Sequence, residues 1–237
     1  MPLPGVELQA GELLLPAEAA HHARVARVEP GDQVELLDLD GTVAQARLLR
    51  WEHKGCRVAV ERIEKERGEP PAPVVLALGV LHTRTFDWAV EKATELGVTR
   101  IVPVLAARVQ GRNHQARLAR WQRIALAAVA QCGRSRAPQV VAPLPLADYL
   151  AGSVGLRLVA DAAAPPLPGP LSAGGAGITV LVGPEGGFTP GEVAATYRAG
   201  FLGLPLGGRI LRAETAAIAA LAVAQDRLAW GGKKLEA

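Results

Sequence analysis

Two segments near the C-terminal end carry the residues best suited to chemistry. In LVGPEGGFTPGE (Leu181–Glu192) an apolar run of strand type ends in a loop with Gly183, Gly186 and Gly187, and a helix-start signal follows. Small residues let a backbone come close to a ligand and turn its N–H groups inward. The loop has neither the GK[ST] of a P-loop nor the GxGxxG order of a dinucleotide fold, and a tight strand-to-helix turn is the plain alternative. In LPLGGRILRAETAAIAAL (Leu204–Leu221) a second strand ends in Gly207-Gly208, Arg209 and Arg212 follow, and a helix begins near Ala213-Glu214-Thr215. Two glycine turns, each at the carboxyl end of a strand, would make a two-sided backbone cradle. Within the helix, Ile218, Leu221 and Ala224 read as ordinary core or dimer positions.

A second signal is charge. The net charge is only +3, but it is unevenly spread. Residues 1–68 hold 9 Lys+Arg against 12 Asp+Glu, a net of −3, and the remainder holds 17 against 11, a net of +6. Between Leu96 and Ala147 there is no acidic residue, yet there are eight arginines: Arg100, Arg108, Arg112, Arg117, Arg120, Arg123, Arg134 and Arg136. A one-signed block of this length would attract a phosphate backbone. A solvated surface in a chain that favours arginine over lysine is the alternative.

These residues must be held by a scaffold, and the rest of the sequence supplies one. The chain has 237 residues, 49% hydrophobic and 21% charged, enough for a small domain plus a medium one with sizeable cores. No run of 18 apolar residues is free of charge or turn residues, so no transmembrane helix is expected. The N-terminus carries Glu7 and Glu12 and lacks the basic region of a signal peptide, which points to a cytoplasmic protein. Cys56 and Cys132 are far apart and read as reduced thiols rather than a disulfide or a metal pair.

The best boundary is GEPPAP (Gly68–Pro73). Before it, Gln33–Leu49 reads as a hairpin turning at Asp40-Gly41, Arg57–Ile63 as a further strand, and Pro16–Val28 as a helix with proline near its start. This predicts a small β-rich, barrel-like domain over residues 1–68. After it, strands and helices alternate. Strands are predicted at Val74–Leu81, Val98–Leu105, Gly155–Ala160, Ile178–Val182 and in FLGLPL. Helices are predicted at Thr85–Leu96, His114–Cys132, after Thr189 and from Arg212 to Trp230. Thr189-Pro190-Gly191-Glu192 combines a capping box with proline at the first helical position. Residues 161–177 are too rich in Pro and Gly for regular structure. Alternation of this kind predicts an α/β domain over residues 74–237, with a mostly parallel sheet covered on both faces and ligands at strand carboxyl ends.

Together GPEGGFTPGE and LGGRILRAETAA resemble the two cofactor motifs of the 16S rRNA uridine-N3 methyltransferase family, a branch of the SPOUT superfamily. EKATELGV (Glu91–Val98), RWQRIALAAVAQCGRSRAP (Arg120–Pro138) and HHARVARVEPGDQVELLDLDG (His21–Gly41) are similar to its other motifs, in the same order. The chain departs from the family pattern at Ala127-Ala128 and Cys132, where an acidic pair and a serine are usual. That removes a carboxylate or hydroxyl role there. The resemblance implies an N-terminal PUA-like RNA-binding domain, a knotted (trefoil) C-terminal domain, a homodimer paired through its final helices, and S-adenosylmethionine as cofactor. It implies one cofactor wall from Leu181, Val182, Gly183, Gly186 and Gly187. The other comes from Leu206, Gly207, Ile210, Leu211, Thr215 and Ala216. The implied substrate is a uridine of 16S rRNA within the small ribosomal subunit, with no metal and no membrane.

For that reaction the sulfonium methyl is already activated, and the difficulty is the uridine N3, which is protonated at neutral pH. A positive group near O2 or O4 would stabilise the charge that develops as the proton leaves. Arg212 is the first candidate, followed by Arg209 and Arg134; each is also a candidate phosphate anchor. Glu214 and Glu185 could accept the proton or serve structure, Glu214 by complementing its own helix terminus. Because N3 lies on the pairing edge, the base must be unpaired or flipped. RNA contacts are assigned to Arg24, Arg27, Arg112, Arg120, Arg134 and Arg136, while His21 and His22 read first as helix-surface residues. Rival readings are a tRNA 2′-O-methyltransferase of the same fold, a non-catalytic RNA-binding or ribosome-assembly factor, and a nucleotide-binding enzyme, the last disfavoured by the missing P-loop lysine.

Overall fold

The computed structural model describes residues 1–109, 114–167, 169 and 171–228. The chain divides into two compact units: residues 1–69 with 129–137, and residues 70–128 with 138–237.

The first unit is built from β1 (Gly11–Leu15), α1 (Ala17–Val25), β2 (Gln33–Leu37), β3 (Thr42–Glu52) and β4 (Gly55–Lys65). Its four strands form an antiparallel sheet in the order β1-β4-β3-β2. The expected hairpin joins β2 to β3, and the Asp38 carboxylate accepts from the backbone N–H groups of Asp40 and Thr42, both at 2.8 Å. Period-two alternation buries Ala44, Ala46 and Leu48 of β3 against Leu36, Cys56 and Val58. β1 carries no strong sequence signal.

The second domain is expected over residues 74–237, but Val129–Ala137 sits with the first unit. Val129 and Ala137 pack on Leu37, Leu39 and Val43. The Glu69 carboxylate accepts from the N–H groups of Ser135 and Arg136 at 3.1 and 2.9 Å and pairs with Arg134 at 2.6 Å. Arg67 bridges Glu35 at 2.7 Å and the carbonyl of Gly133 at 2.8 Å.

The second unit runs β5 (Val74–Gly79), α2 (Thr83–Glu95), β6 (Arg100–Leu105), α3 (Leu118–Cys132, whose last turn is the segment just described), β7 (Gln139–Val140), β8 (Leu144–Pro145), α4 (Leu146–Gly152), β9 (Leu156–Ala160), β10 (Ile178–Val182), α5 (Pro190–Arg198), β11 (Leu202–Leu204) and α6 (Ala213–Arg227). The sheet is parallel throughout, in the order β11-β9-β10-β5-β6-β7, with β8 also pairing to β6. Alternate residues of each strand feed two cores. Leu76, Leu78, Val180 and Val182 pack with Phe86, Trp121 and the alanines of α6, while Ala77, Val102 and Leu181 pack with Tyr149 and Leu150 of α4. The helix expected from His114 begins as a 3-10 turn, His114–Arg117, before α3. Arg112 lies outside the described residues, as does Trp230, the expected end of the last helix; α6 is capped at Leu228.

Candidate functional site

Sheet order decides where a ligand can sit. The chain leaves β5 toward β6 on one side, while β10 and β9 lie on the other, so a crevice opens beyond their carboxyl ends. A cavity of about 730 Å3 occupies that crevice, within the roughly 300–1,000 Å3 usual for small-molecule sites. Its walls come from the loops that follow β5, β9, β10 and β11 and from the start of α6.

The two glycine turns are both there in part. Val182, Gly183 and Gly187 line one side, and Ile210, Leu211 and Ala216 the other, with Arg212 beside them. Gly187 has φ +66 and open space around its Cα, so a side chain there would be opposed by backbone strain rather than by a clash. Gly79 matters differently: a Cβ on it would overlap the Pro184 backbone, so its lack of a side chain lets the ends of β5 and β10 meet. The remaining expected residues do not line the cavity. Leu181 points into the opposite core, since one residue's step along a strand reverses the face. Gly186 gives its carbonyl to Arg108 at 2.8 Å. Leu206, Gly207 and Thr215 lie outside the lining, with Gly207 and Thr215 exposed.

The carboxylates have distinct duties. Glu185 accepts the His82 N–H at 2.8 Å, which ties the loop after β10 to the N-cap of α2. That bond favours its structural reading. Glu192 closes the capping box with Thr189 and accepts the Ala107 N–H at 2.7 Å. Burial pushes its carboxyl up, but the hydrogen bonds from Thr189 and Ala107, with Arg108 nearby, outweigh it and hold it below the usual value. Glu214 stands in the first turn of α6 and lines the cavity. Sequence reasoning missed His82, Asp161, Phe188 and Tyr197, which also line it. Phe188 stands inside GPEGGFTPGE and could have been named from it; the other three lie in no quoted motif, and a strand end alone could have marked Asp161.

Arg212 is the N-cap of α6, exposed, with its carbonyl accepting from Ala216 at 2.8 Å. Arg209 is also exposed. Among the other arginines, one is buried and two are exposed but paired. Arg134 is 3% exposed and paired with Glu69, so it is unavailable as a surface phosphate contact. Arg120 pairs with Asp87 at 2.7 Å and Arg136 with Glu66. The acid-free block is acid-free in sequence only. Arg24 and Arg27 are exposed, and Arg24 lies 4.8 Å over the Trp51 ring.

Apolar walls from Val159, Val182, Phe188 and Val193, a close-approach glycine turn and several carboxylates fit a ligand with a flat base, a sugar and a cationic centre. S-adenosylmethionine is such a ligand.

Residues 68–225 match a family model described as an RNA methyltransferase domain, and residues 15–61 one described as an RNA methyltransferase PUA domain. The class is therefore that of RNA methyltransferases with an N-terminal PUA domain. A ribosomal RNA small subunit methyltransferase E of Synechocystis is 34% identical over 91% of this chain and 73% of its own. The chain belongs to the ribosomal RNA small subunit methyltransferase E family. The protein of that name from Neisseria gonorrhoeae, solved bound to S-adenosyl methionine, is 33% identical with a TM-score of 0.86 and covers 95% of both chains. A methyltransferase of Legionella pneumophila, solved with bound cofactor SAM, is 32% identical with a TM-score of 0.81 over 95% of this chain and 96% of that one.

Proposed function

We propose that this protein uses S-adenosylmethionine to methylate the N3 of a uridine in 16S rRNA. The observation that carries the reading is one cavity at the sheet's carboxyl ends, lined by residues of both glycine turns and by Arg212. The names of its relatives supply the rRNA.

Val182, Gly183, Gly187, Leu211 and Ala216 would hold the cofactor, which when bound supplies an electrophilic methyl group. Arg212 has two tasks that one exposed guanidinium can share: to orient the uracil and to stabilise the negative charge that grows on its carbonyl oxygens as N3 loses its proton. Holding N3 in line with the methyl group removes much of the entropic barrier. Glu214, two residues from Arg212 in the cavity lining, is the first candidate to take the proton, and Glu185, held by the His82 N–H, is the second. Arg24 and Arg27, exposed on the first unit, and Arg123, exposed on α3, would hold phosphates, and none has a carboxylate partner among the described residues. The reading includes a cytoplasmic homodimer with a knotted C-terminal domain, whose substrate is the small ribosomal subunit. Ile210, 99% exposed at the cavity mouth, is an apolar side chain that a partner subunit or the bound base would cover.

The test is nucleoside mass spectrometry of 16S rRNA recovered from small ribosomal subunits of cells lacking the gene, before and after the subunits are treated with the protein and S-adenosylmethionine. N3-methyluridine should appear only after addition. A 2′-O-methylated nucleoside, or none, would reject the assignment.

A further inference from the structure

We propose that Asp161 recognises the ribose diol of the cofactor's nucleoside and that Tyr197 is the residue that positions it; this rests on reading the cavity as a S-adenosylmethionine site. Asp161 directly follows β9, Tyr197 lies on α5, and both line the cavity. The Tyr197 hydroxyl donates to Oδ2 of Asp161 at 2.6 Å, and Oδ1 accepts from the Ala163 N–H at 2.9 Å. The carboxylate is thus held at both oxygens. A carboxylate has about four acceptor positions, so each oxygen keeps one for a ligand. Burial and the neighbouring Asp161 carboxylate push the Tyr197 hydroxyl up to about 12, which keeps it a donor throughout the working range. The sheet makes room for the phenol: a Cβ on Gly203 of β11 would lie 2.6 Å from its oxygen.

The surroundings select the chemistry. On this side of the cavity, β9 with the residues after it and α5 contribute Val159, Ala160, Ala162, Val193 and Thr196, all neutral. Asp161 is the one charged group among the described lining residues of those elements. A neutral, largely apolar wall with one fixed acceptor suits a nucleoside, whose base is flat and whose sugar offers two adjacent hydroxyl donors. The charged lining groups of the other segments, Glu185, Arg212 and Glu214, carry both signs and belong to the side where the methyl group and the uracil meet, which leaves this wall to the nucleoside. A carboxylate oriented before the ligand arrives costs little to reorganise on binding.

Calorimetric titration of S-adenosylhomocysteine and its 2′-deoxy and 3′-deoxy analogues, into the full chain and its Asp161→Asn and Tyr197→Phe variants, tests this. The unsubstituted protein should bind the ribose ligand roughly tenfold to a hundredfold tighter than either analogue, the range of charge-assisted hydrogen bonds. Asparagine keeps the shape but presents N–H groups to hydroxyl donors. Asp161→Asn should cut the discrimination to about threefold or less while leaving the deoxy affinities nearly unchanged. Tyr197→Phe should shift it the same way by less. Unchanged discrimination overturns the proposal. So does an equal loss for all three ligands, the result expected of a contact to the α-ammonium or of a purely structural role. Thermal melts separate a lost contact from a lost fold, and Tyr197→Phe, which keeps the ring, carries the test if Asp161→Asn does not fold. Failure of the unsubstituted protein to bind any of the three would instead overturn the reading of the cavity itself.

Discussion

Arg212 occupies a position that separates its backbone from its side chain. Its carbonyl starts α6 by accepting from Ala216, which any residue could do, while its guanidinium, at the cavity, has no carboxylate partner among the described residues. Arg212→Ala should therefore leave the fold and cofactor affinity nearly intact. It should lower the single-turnover methylation rate by about a hundredfold or more, the usual effect of removing a donor that stabilises developing charge. A rate within a factor of about two of the unsubstituted protein would remove Arg212 from the chemistry. The same scale shows what sequence could and could not tell. Arg212 was legible because it follows a glycine turn in a motif. Arg134 was equally conspicuous but lies at 3% exposure against Glu69, and no spacing in the sequence announces a partner so far along the chain. Asp161 and Tyr197 meet only because β9 and α5 end side by side.

At the scale of elements, legibility followed locality. The β2–β3 hairpin, the β5, β6 and β10 runs and the α5 capping box each depend on a few neighbouring residues, and the sequence alone marks them. The short strands β7 and β8 and the helix α4 have no such signature, and β7 holds only because β6 is there to pair with it. Strand order was invisible for the same reason, since β10 between β9 and β5 is a matter of nonlocal packing. The capping box is the element feature with the widest reach, because Glu192 also fastens the segment after β6 through the Ala107 N–H. Thr189→Ala should cost about 0.5–2 kcal/mol, as lost N-caps do. The carboxyl of Glu192 is held below its ordinary value of 4.5. Its contribution is then fully present above that value and is lost as pH falls through the depressed one. Melting temperatures should show Glu192→Gln destabilised at pH 7 and converging on the unsubstituted protein in acid, while Thr189→Ala keeps the deficit due to the lost acceptor for the Glu192 N–H. A constant gap for Glu192→Gln from pH 7 to pH 3 would show that ionised Glu192 does not stabilise this corner.

For the whole molecule, the decisive quantity is how many cations remain free after folding. A phosphate backbone responds to charge that is exposed and unneutralised, and each contact it makes changes the salt dependence of binding. The acid-free stretch loses Arg134, Arg136 and Arg120 to Glu69, Glu66 and Asp87, carboxylates that the fold brings from outside the block. Arg120 and Arg136 stay exposed but paired, whereas Arg24, Arg27 and Arg123 are exposed with no carboxylate partner among the described residues. Charge by sequence position and charge by fold therefore make different forecasts for Arg134, which is 3% exposed. If the fold decides, replacing Arg24, Arg27 and Arg123 with Ala should each flatten the slope of log affinity against log salt by about 0.7, the single-strand value per phosphate. The melting temperature should hardly move. Arg134→Ala should do the reverse. It leaves the Glu69 carboxylate, 5% exposed, without its guanidinium. Breaking one side of a buried pair costs about 3–5 kcal/mol, so the melt should fall while the salt slope of the folded protein stays unchanged. Arg67 and Glu35 still join the same segment to the first unit, so the Arg134 variant should fold at low temperature and its RNA binding can be measured. A slope that flattens with Arg134→Ala as much as with Arg24, Arg27 or Arg123 would show that Arg134 meets RNA despite its burial and reject the folded-charge account.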